Sequence, residues 1–150
     1  MYFYIVNIDL MEFSSEDEKE IFILNNFKVI AVVGCSREEG KPSHDIPKYM
    51  QQAGYKIVPV NPNADEILGE KSYASLIDIP FKVEIVDVFR PAAEALGIAK
   101  EAYSIGAKVL WLQEGIFSES AEKYAEEKGM LFVMDRCIMK EHVRLIEKIN

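Results

Sequence analysis

Hydrophobic positions in this chain fall into short runs separated by amphipathic stretches, and from Lys28 onward the two alternate. Val29-Ile-Ala-Val-Val33 carries no charge and ends at Gly34. A continuous β-branched run of this length suits a strand covered on both faces, as in a parallel sheet. Lys56-Ile-Val-Pro-Val60, Val83-Glu-Ile-Val-Asp-Val88, Lys108-Val-Leu-Trp-Leu112 and Met130-Leu-Phe-Val-Met134 complete five predicted strands. Between them, Ile46, Met50 and Ala53 recur at helical spacing and stop at Gly54. Pro91 opens a helix that ends at Gly106, and Ser118 caps one that Gly129 closes. Ile138, His142, Leu145 and Ile149 form the stripe of a terminal helix. Strand and helix alternating in this way predict right-handed crossovers and a Rossmann-like α/β fold, a doubly wound, mainly parallel five-stranded sheet with helices on both faces.

The organisation predicted is an N-terminal extension over residues 1–24 and one domain over 25–150. Ser14 and Ser15 cap a helix running to about Asn25, and the preceding apolar piece lies on that helix, forms an edge strand or covers a partner. Tyr2, Phe3, Tyr4 and Ile5 make a second copy of the chain a candidate partner, as a homodimer.

Charge narrows the partners. With 25 acids against 17 Lys and Arg the net charge is −8, and no basic run of five or more occurs, so nucleic acid and anionic membranes are poor partners. No stretch reaches the roughly 18 apolar residues of a membrane-spanning helix, and Met1 to Phe13 lacks the basic start of a secretory signal. Cys35 and Cys137 form neither a disulfide framework nor a CxxC metal pair, which places the chain in the reducing cytoplasm. Abundant Glu and Lys with scarce Gln point to a heat-adapted source.

In an open α/β sheet the ligand site lies outside the carboxyl ends of the strands, where strand order reverses. The residues at those ends are Gly34 to Ser43, Asn61-Pro-Asn63, Phe89-Arg90-Pro91, Gln113-Glu-Gly115 and Asp135-Arg-Cys137. Gly34 permits a sharp turn and close approach, and the amides near Ser43 to Asp45 offer an anion a helix start. Pro47 suggests that this helix begins late, with Asp45 as its cap. The Gly-x-Gly-x-x-Gly fingerprint is absent, and Asn61-Pro62 stands where a nicotinamide cofactor wants an acid, so NAD is disfavoured. Arg37, Lys41 and Arg90 converge on the phosphate region. Asp87 lacks the acidic pair and Lys of a phosphoacceptor site and reads as an inward-facing strand residue.

Taken in order, Val-Val-Gly-Cys-Ser (32–36), Lys41-Pro-Ser43, Gly54-Tyr-Lys-Ile-Val-Pro-Val-Asn-Pro62, Ile67-Leu-Gly-Glu70, Asp87-Val-Phe-Arg90, Trp111-Leu-Gln-Glu-Gly115 and Met134-Asp-Arg-Cys137 resemble the small stand-alone CoA-binding proteins. That family is similar in fold to the CoA-binding domain of the succinyl-CoA synthetase α subunit, and the resemblance covers about residues 25–145. It implies CoA held across the strand ends. Gly34, Cys35, Ser36 and Arg37 with Lys41 and Ser43 would wrap the pyrophosphate. Asn61, Pro62, Val88, Phe89 and Arg90 would frame the adenosine end, and Gln113 to Gly115 the pantetheine arm.

For chemistry the chain offers little. His44 at the helix start could hydrogen-bond a phosphate, His142 reads as packed on the terminal stripe, and no Gly-x-Ser-x-Gly elbow occurs. Cys35 at a helix N-terminal anion site could have a lowered pKa and be reactive, but it reads rather as a small residue chosen because the loop packs closely. The expected function is non-catalytic binding of CoA or an acyl-CoA. The alternatives are an NAD(P)-dependent oxidoreductase and a thiol redox sensor forming a mixed disulfide with CoA.

Overall fold

The computed structural model describes residues 11–148. Tyr2 to Ile5 and Ile149, to which the sequence assigned an interface and the end of a stripe, lie outside them. The elements in chain order are α1 (Glu16–Asn26), β1 (Val29–Val33), α2 (Pro42–Gln52), β2 (Lys56–Val60), β3 (Glu66–Ile67), β4 (Glu70–Lys71), β5 (Ile85–Val88), α3 (Ala95–Ser104), β6 (Val109–Leu112), α4 (Glu119–Glu127), β7 (Leu131–Val133) and α5 (Ile138–His142). Five of the strands form one parallel sheet in the order β2-β1-β5-β6-β7. The order reverses between β1 and β5, since β1 is followed on one side by β2 and β5 on the other by β6.

The strands alternate their side chains between two cores. Ala31, Val86, Val88, Leu110 and Leu112 meet Ala95, Ala99, Ala102, Ala121 and Ala125 of α3 and α4. Ile30, Val32, Ile85, Val109 and Trp111 meet Ile23 and Leu24 of α1, Met50 of α2 and Ile138 of α5. Both faces are therefore covered, and each fully buried large aliphatic side chain contributes roughly 1.5–3 kcal/mol. Small alanines on α3 and α4 let those helices sit close to the sheet. Ser15 and Ser118 cap α1 and α4 by accepting from the amides of Glu18 and Ala121. No helix among the described residues is long and apolar enough to cross a membrane.

Three local features differ from the sequence reading. α2 begins at Pro42 with Lys41 as N-cap, not late at Asp45, because Pro42 fits the first helical position where no amide is needed. Beyond His142 the chain winds as a π-helix over Val143–Glu147 instead of continuing α-helical to Ile149. The widened turns coincide with two anchors: Tyr49 Oη lies 2.9 Å from His142 Nδ1, and Arg144 reaches Asp17 at 2.7 Å. The β3–β4 hairpin was not predicted, its strands being two residues each.

Candidate functional site

Gly34 ends β1 at the point where strand order reverses. Its φ is +86°, and a Cβ there would lie 2.7 Å from the Phe89 carbonyl oxygen and 2.9 Å from Arg90 Cδ. Only glycine lets the first loop lie against the end of β5. The loop is then tied down by backbone bonds, from Gly34 N–H to Val60 O at 3.1 Å and from Ser36 N–H to Ser43 O at 3.0 Å. Pro47 explains the second. A proline has no N–H for the carbonyl one turn back, so the Ser43 carbonyl is free to accept from Ser36.

Asn61 works for the same loop, its side-chain amide donating to Cys35 O at 2.9 Å while its oxygen accepts from Asn63 N–H at 2.8 Å. Both side-chain ends of Asn61 are thus used in holding the loop.

Two adjoining cavities open over these strand ends. The larger, about 650 Å³, is lined by Gly34, Cys35, Ser36, Asn61 and Pro62, with Ser75, Leu76, Glu94 and Glu101 opposite. The smaller, about 480 Å³, runs between Pro42 and Ile46 on one side and Gln113, Ile116 and Cys137 on the other. Lys41, Ser43, Phe89 and Arg90 line both. The first is polar and loop-walled; the second is walled largely by carbon. Together they have the size of a pocket for a ligand larger than a single small metabolite.

Of the residues singled out from the sequence, Gly34, Cys35, Ser36, Lys41, Ser43, Asn61, Pro62, Phe89, Arg90 and Gln113 come together on these two cavities. Arg37, Val88 and Gly115 line neither. Arg37 is exposed, Val88 is wholly inside the α3/α4 core, and the Gly115 amide is taken by Asp135 Oδ1 at 2.8 Å. Asp135 itself is held at φ +58° to make that contact. Sequence reasoning missed Glu94, Ile46 and Ile116. Glu94 carried a usable signal, four residues after Arg90, and the pair is bidentate at 3.2 and 2.8 Å. Lys41 likewise pairs with Glu38 at 2.9 Å. Exposed pairs of this kind contribute about 0–1 kcal/mol, so both cations can leave their carboxylates at little cost.

Behind the site lies a buried polar row. Asp87, 1% exposed, sits in register between Val32 and Trp111. It accepts from Gln113 Nε2 at 2.6 Å. Burial pushes the Asp87 carboxyl up to about 7, against the hydrogen bonds from Gln113 and Val88. The inward-facing reading of Asp87 matches this placement. The Gln113 Nε2 is taken up by Asp87, while its buried Oε1 has no hydrogen-bond partner among the described residues.

Cys35 fits the closely packed reading and not the low-pKa one. Cys35 has no exposed surface, and burial, with Asp87 nearby, pushes its thiol up to about 12. Desolvation outweighs the helix start here. Burial raises Cys137 as well. At pH 8 the thiolate fraction of Cys35 is far below the roughly one quarter of a free thiol. In native protein Cys35 is therefore expected to resist alkylation by iodoacetamide, and both thiols to react in guanidinium. Labelling of native Cys35 at the rate of a free thiol would contradict this burial. The two histidines are also engaged: His44 Nδ1 lies 3.0 Å from Asp45 Oδ1, and His142 contacts Tyr49 and Tyr55.

The fold and cavity define a class: an α/β domain with a divided ligand-sized cavity over its strand ends, at the topological switch point. The model of the CoA binding domain family matches residues 28–143, and the chain belongs to that family. It is 44% identical over 120 residues to the uncharacterized protein YneT of Bacillus subtilis, covering 80% of this chain and 89% of that one. It is 42% identical over 101 residues to ADP-forming acetate–CoA ligase II of Archaeoglobus fulgidus, covering 66% of this chain but only 15% of the ligase. A solved structure of a hypothetical protein from Pyrococcus horikoshii superposes with a TM-score of 0.84 at 37% identity, covering 97% of this chain and 99% of that one.

Proposed function

We propose that the chain binds coenzyme A, or an acyl-CoA, across the two cavities and does not itself transform it. The observation that carries this reading is the division of the site. A polar cavity with Lys41 and Arg90 at its edge continues into a carbon-walled one ending at Cys137. CoA is divided in the same way, into a phosphorylated nucleotide and a long uncharged arm. The pyrophosphate would lie over the Gly34 loop and the start of α2, near the Ser43 amide, and the arm would enter between Ile46 and Ile116. Arg90 and Lys41 would exchange Glu94 and Glu38 for phosphate oxygens.

Binding without turnover is supported by the state of the reactive groups, since both histidines have partners and both cysteines are buried. The same burial of Cys35 counts against the redox-sensor reading. Titration calorimetry with CoA, 3′-dephospho-CoA, NAD and NADP tests the proposal. CoA is expected to bind and NAD not to, and the reverse pattern would overturn it. Replacing Arg90 or Lys41 by alanine is expected to weaken CoA about tenfold each, the lower end for a charge-assisted hydrogen bond. Affinity equal to that of the parent chain would remove that residue from the site.

A further inference from the structure

Away from the ligand cavities, α1 and the C-terminal helical segment meet across a group of charges that the binding reading does not use. Glu20 of α1 is 0% exposed, and no N–H or hydroxyl group donates to either of its carboxylate oxygens. Carboxylate oxygens of Asp17, Glu20 and Glu141 all lie within 4.8 Å of one another. Arg144 holds two of the three acids, with Nη2 at 2.6 Å from Glu141 Oε2 and 2.7 Å from Asp17 Oδ1, and Nη1 at 3.0 Å from Asp17 Oδ2. Arg136, at the junction of β7 and α5, comes within 3.7 Å of Glu141 Oε2. Glu16 adds a further negative charge from α1 itself, but it is paired with Lys19 at 2.9 Å.

Three carboxylates facing two guanidiniums leave one negative charge unmatched. It would fall on Glu20, the fully buried member with no donor among the described residues, where an ionised carboxylate is most costly. One cation restores the balance. A divalent ion fits poorly, because Arg144 already occupies both oxygens of Asp17 and one of Glu141. A proton fits well, for it neutralises Glu20 and supplies the missing donor.

We propose that Glu20 is a proton-binding site whose neutral carboxyl donates to the Glu141 carboxylate and latches α1 onto the C-terminal helical segment, the latch opening when the proton leaves. Burial pushes the Glu20 carboxyl up to about 8, and the neighbouring Glu141 reinforces this while Arg136 opposes it. Burial also acts upward on Glu141, but hydrogen bonds from Glu20 and Arg144 outweigh it and hold that carboxyl low. The family match begins at residue 28, so Glu20 lies outside the shared domain while Glu141 lies inside it. Glu141 is also bonded one turn back, its N–H donating to Cys137 O at 3.0 Å. Cys137 is a wall of the smaller cavity, so the latch also fixes one boundary of that space.

The test compares the parent chain with Glu20→Gln. A carboxyl raised on folding gives stability that is full below its unfolded value and is lost as pH rises through its folded one. Between pH 5 and about 8 the parent chain is therefore expected to lose stability with a slope one proton steeper than that of E20Q. Asp87 and His142 titrate in both proteins and cancel in the difference. In the parent chain, amide exchange in α1, corrected for the intrinsic rate, is expected to rise about tenfold from pH 8 to 9. E20Q should show no such rise. Parallel pH profiles for the two proteins would overturn the proposal. So would stabilisation of the parent chain, but not of E20Q, by millimolar calcium or magnesium chloride, which would assign the cluster to a metal. If E20Q does not fold, exchange in the parent chain alone decides, and α1 protection unchanged between pH 6 and 9 rules the latch out.

Discussion

Replacing Gly34 by alanine is expected to destabilise the fold by about 2–5 kcal/mol and to weaken CoA binding at least tenfold. Two costs combine. An L-residue forced into the left-handed region loses roughly 1–2 kcal/mol, and inserting a methyl where none fits costs roughly 1–3 kcal/mol more. The obstruction is backbone: the Phe89 carbonyl oxygen lies 2.7 Å from where the methyl would be. Phe89 cannot retreat freely, because its N–H is bonded to Val33 O at 2.9 Å within the β1–β5 ladder. The first loop must lift instead, carrying with it Cys35 and Ser36 on the wall of the larger cavity. Denaturant unfolding measures the first effect and calorimetry the second. An alanine variant as stable as the parent chain, with CoA affinity intact, would show that the loop has another resting position.

The five strands were legible because each is an apolar run with punctuation, and a strand buried on both faces leaves no other pattern to read. The observed β5, β6 and β7 fall inside the predicted runs and are a residue or two shorter at their ends. The start of α2 was misread for a chemical reason. Pro42 and Pro47 both lack an N–H, and the sequence does not say which of them opens the helix. The structure uses Pro42 to begin the helix and Pro47 to release the Ser43 carbonyl for the loop. The candidate site was legible as a set of junctions, since topology dictates where strand ends gather. What topology does not carry is burial. Gln113 and Cys35 stand at the right junctions, but one side chain turns inward to Asp87 and the other is sealed under the loop. Pairing across 121 residues, as between Glu20 and Glu141, leaves no mark on a single sequence either.

Asp87→Asn is expected to stabilise the protein at pH 8 by up to about 4 kcal/mol and to have no such effect near pH 4. The sign follows from the direction of the shift. The carboxyl is raised from 3.8 to about 7 on folding, so its contribution is full below pH 4 and is lost as pH rises through about 7. Each pH unit across that window is worth about 1.4 kcal/mol. Asparagine keeps an oxygen for Gln113 Nε2, now 2.6 Å from Asp87 Oδ1, and carries no charge to desolvate. Its amide group meets the Val88 N–H that the carboxylate accepted, which is a local loss of about 1 kcal/mol or less and cannot reverse the sign. The Asp87 charge also raises the Cys35 thiol, so the asparagine variant should alkylate slightly faster at that cysteine while remaining far slower than a free thiol. Unfolding measured every half unit from pH 4 to 8.5 would decide the matter. Parent and variant curves that keep a constant separation would mean the carboxylate is ionised in the fold without cost, and that some further donor compensates it.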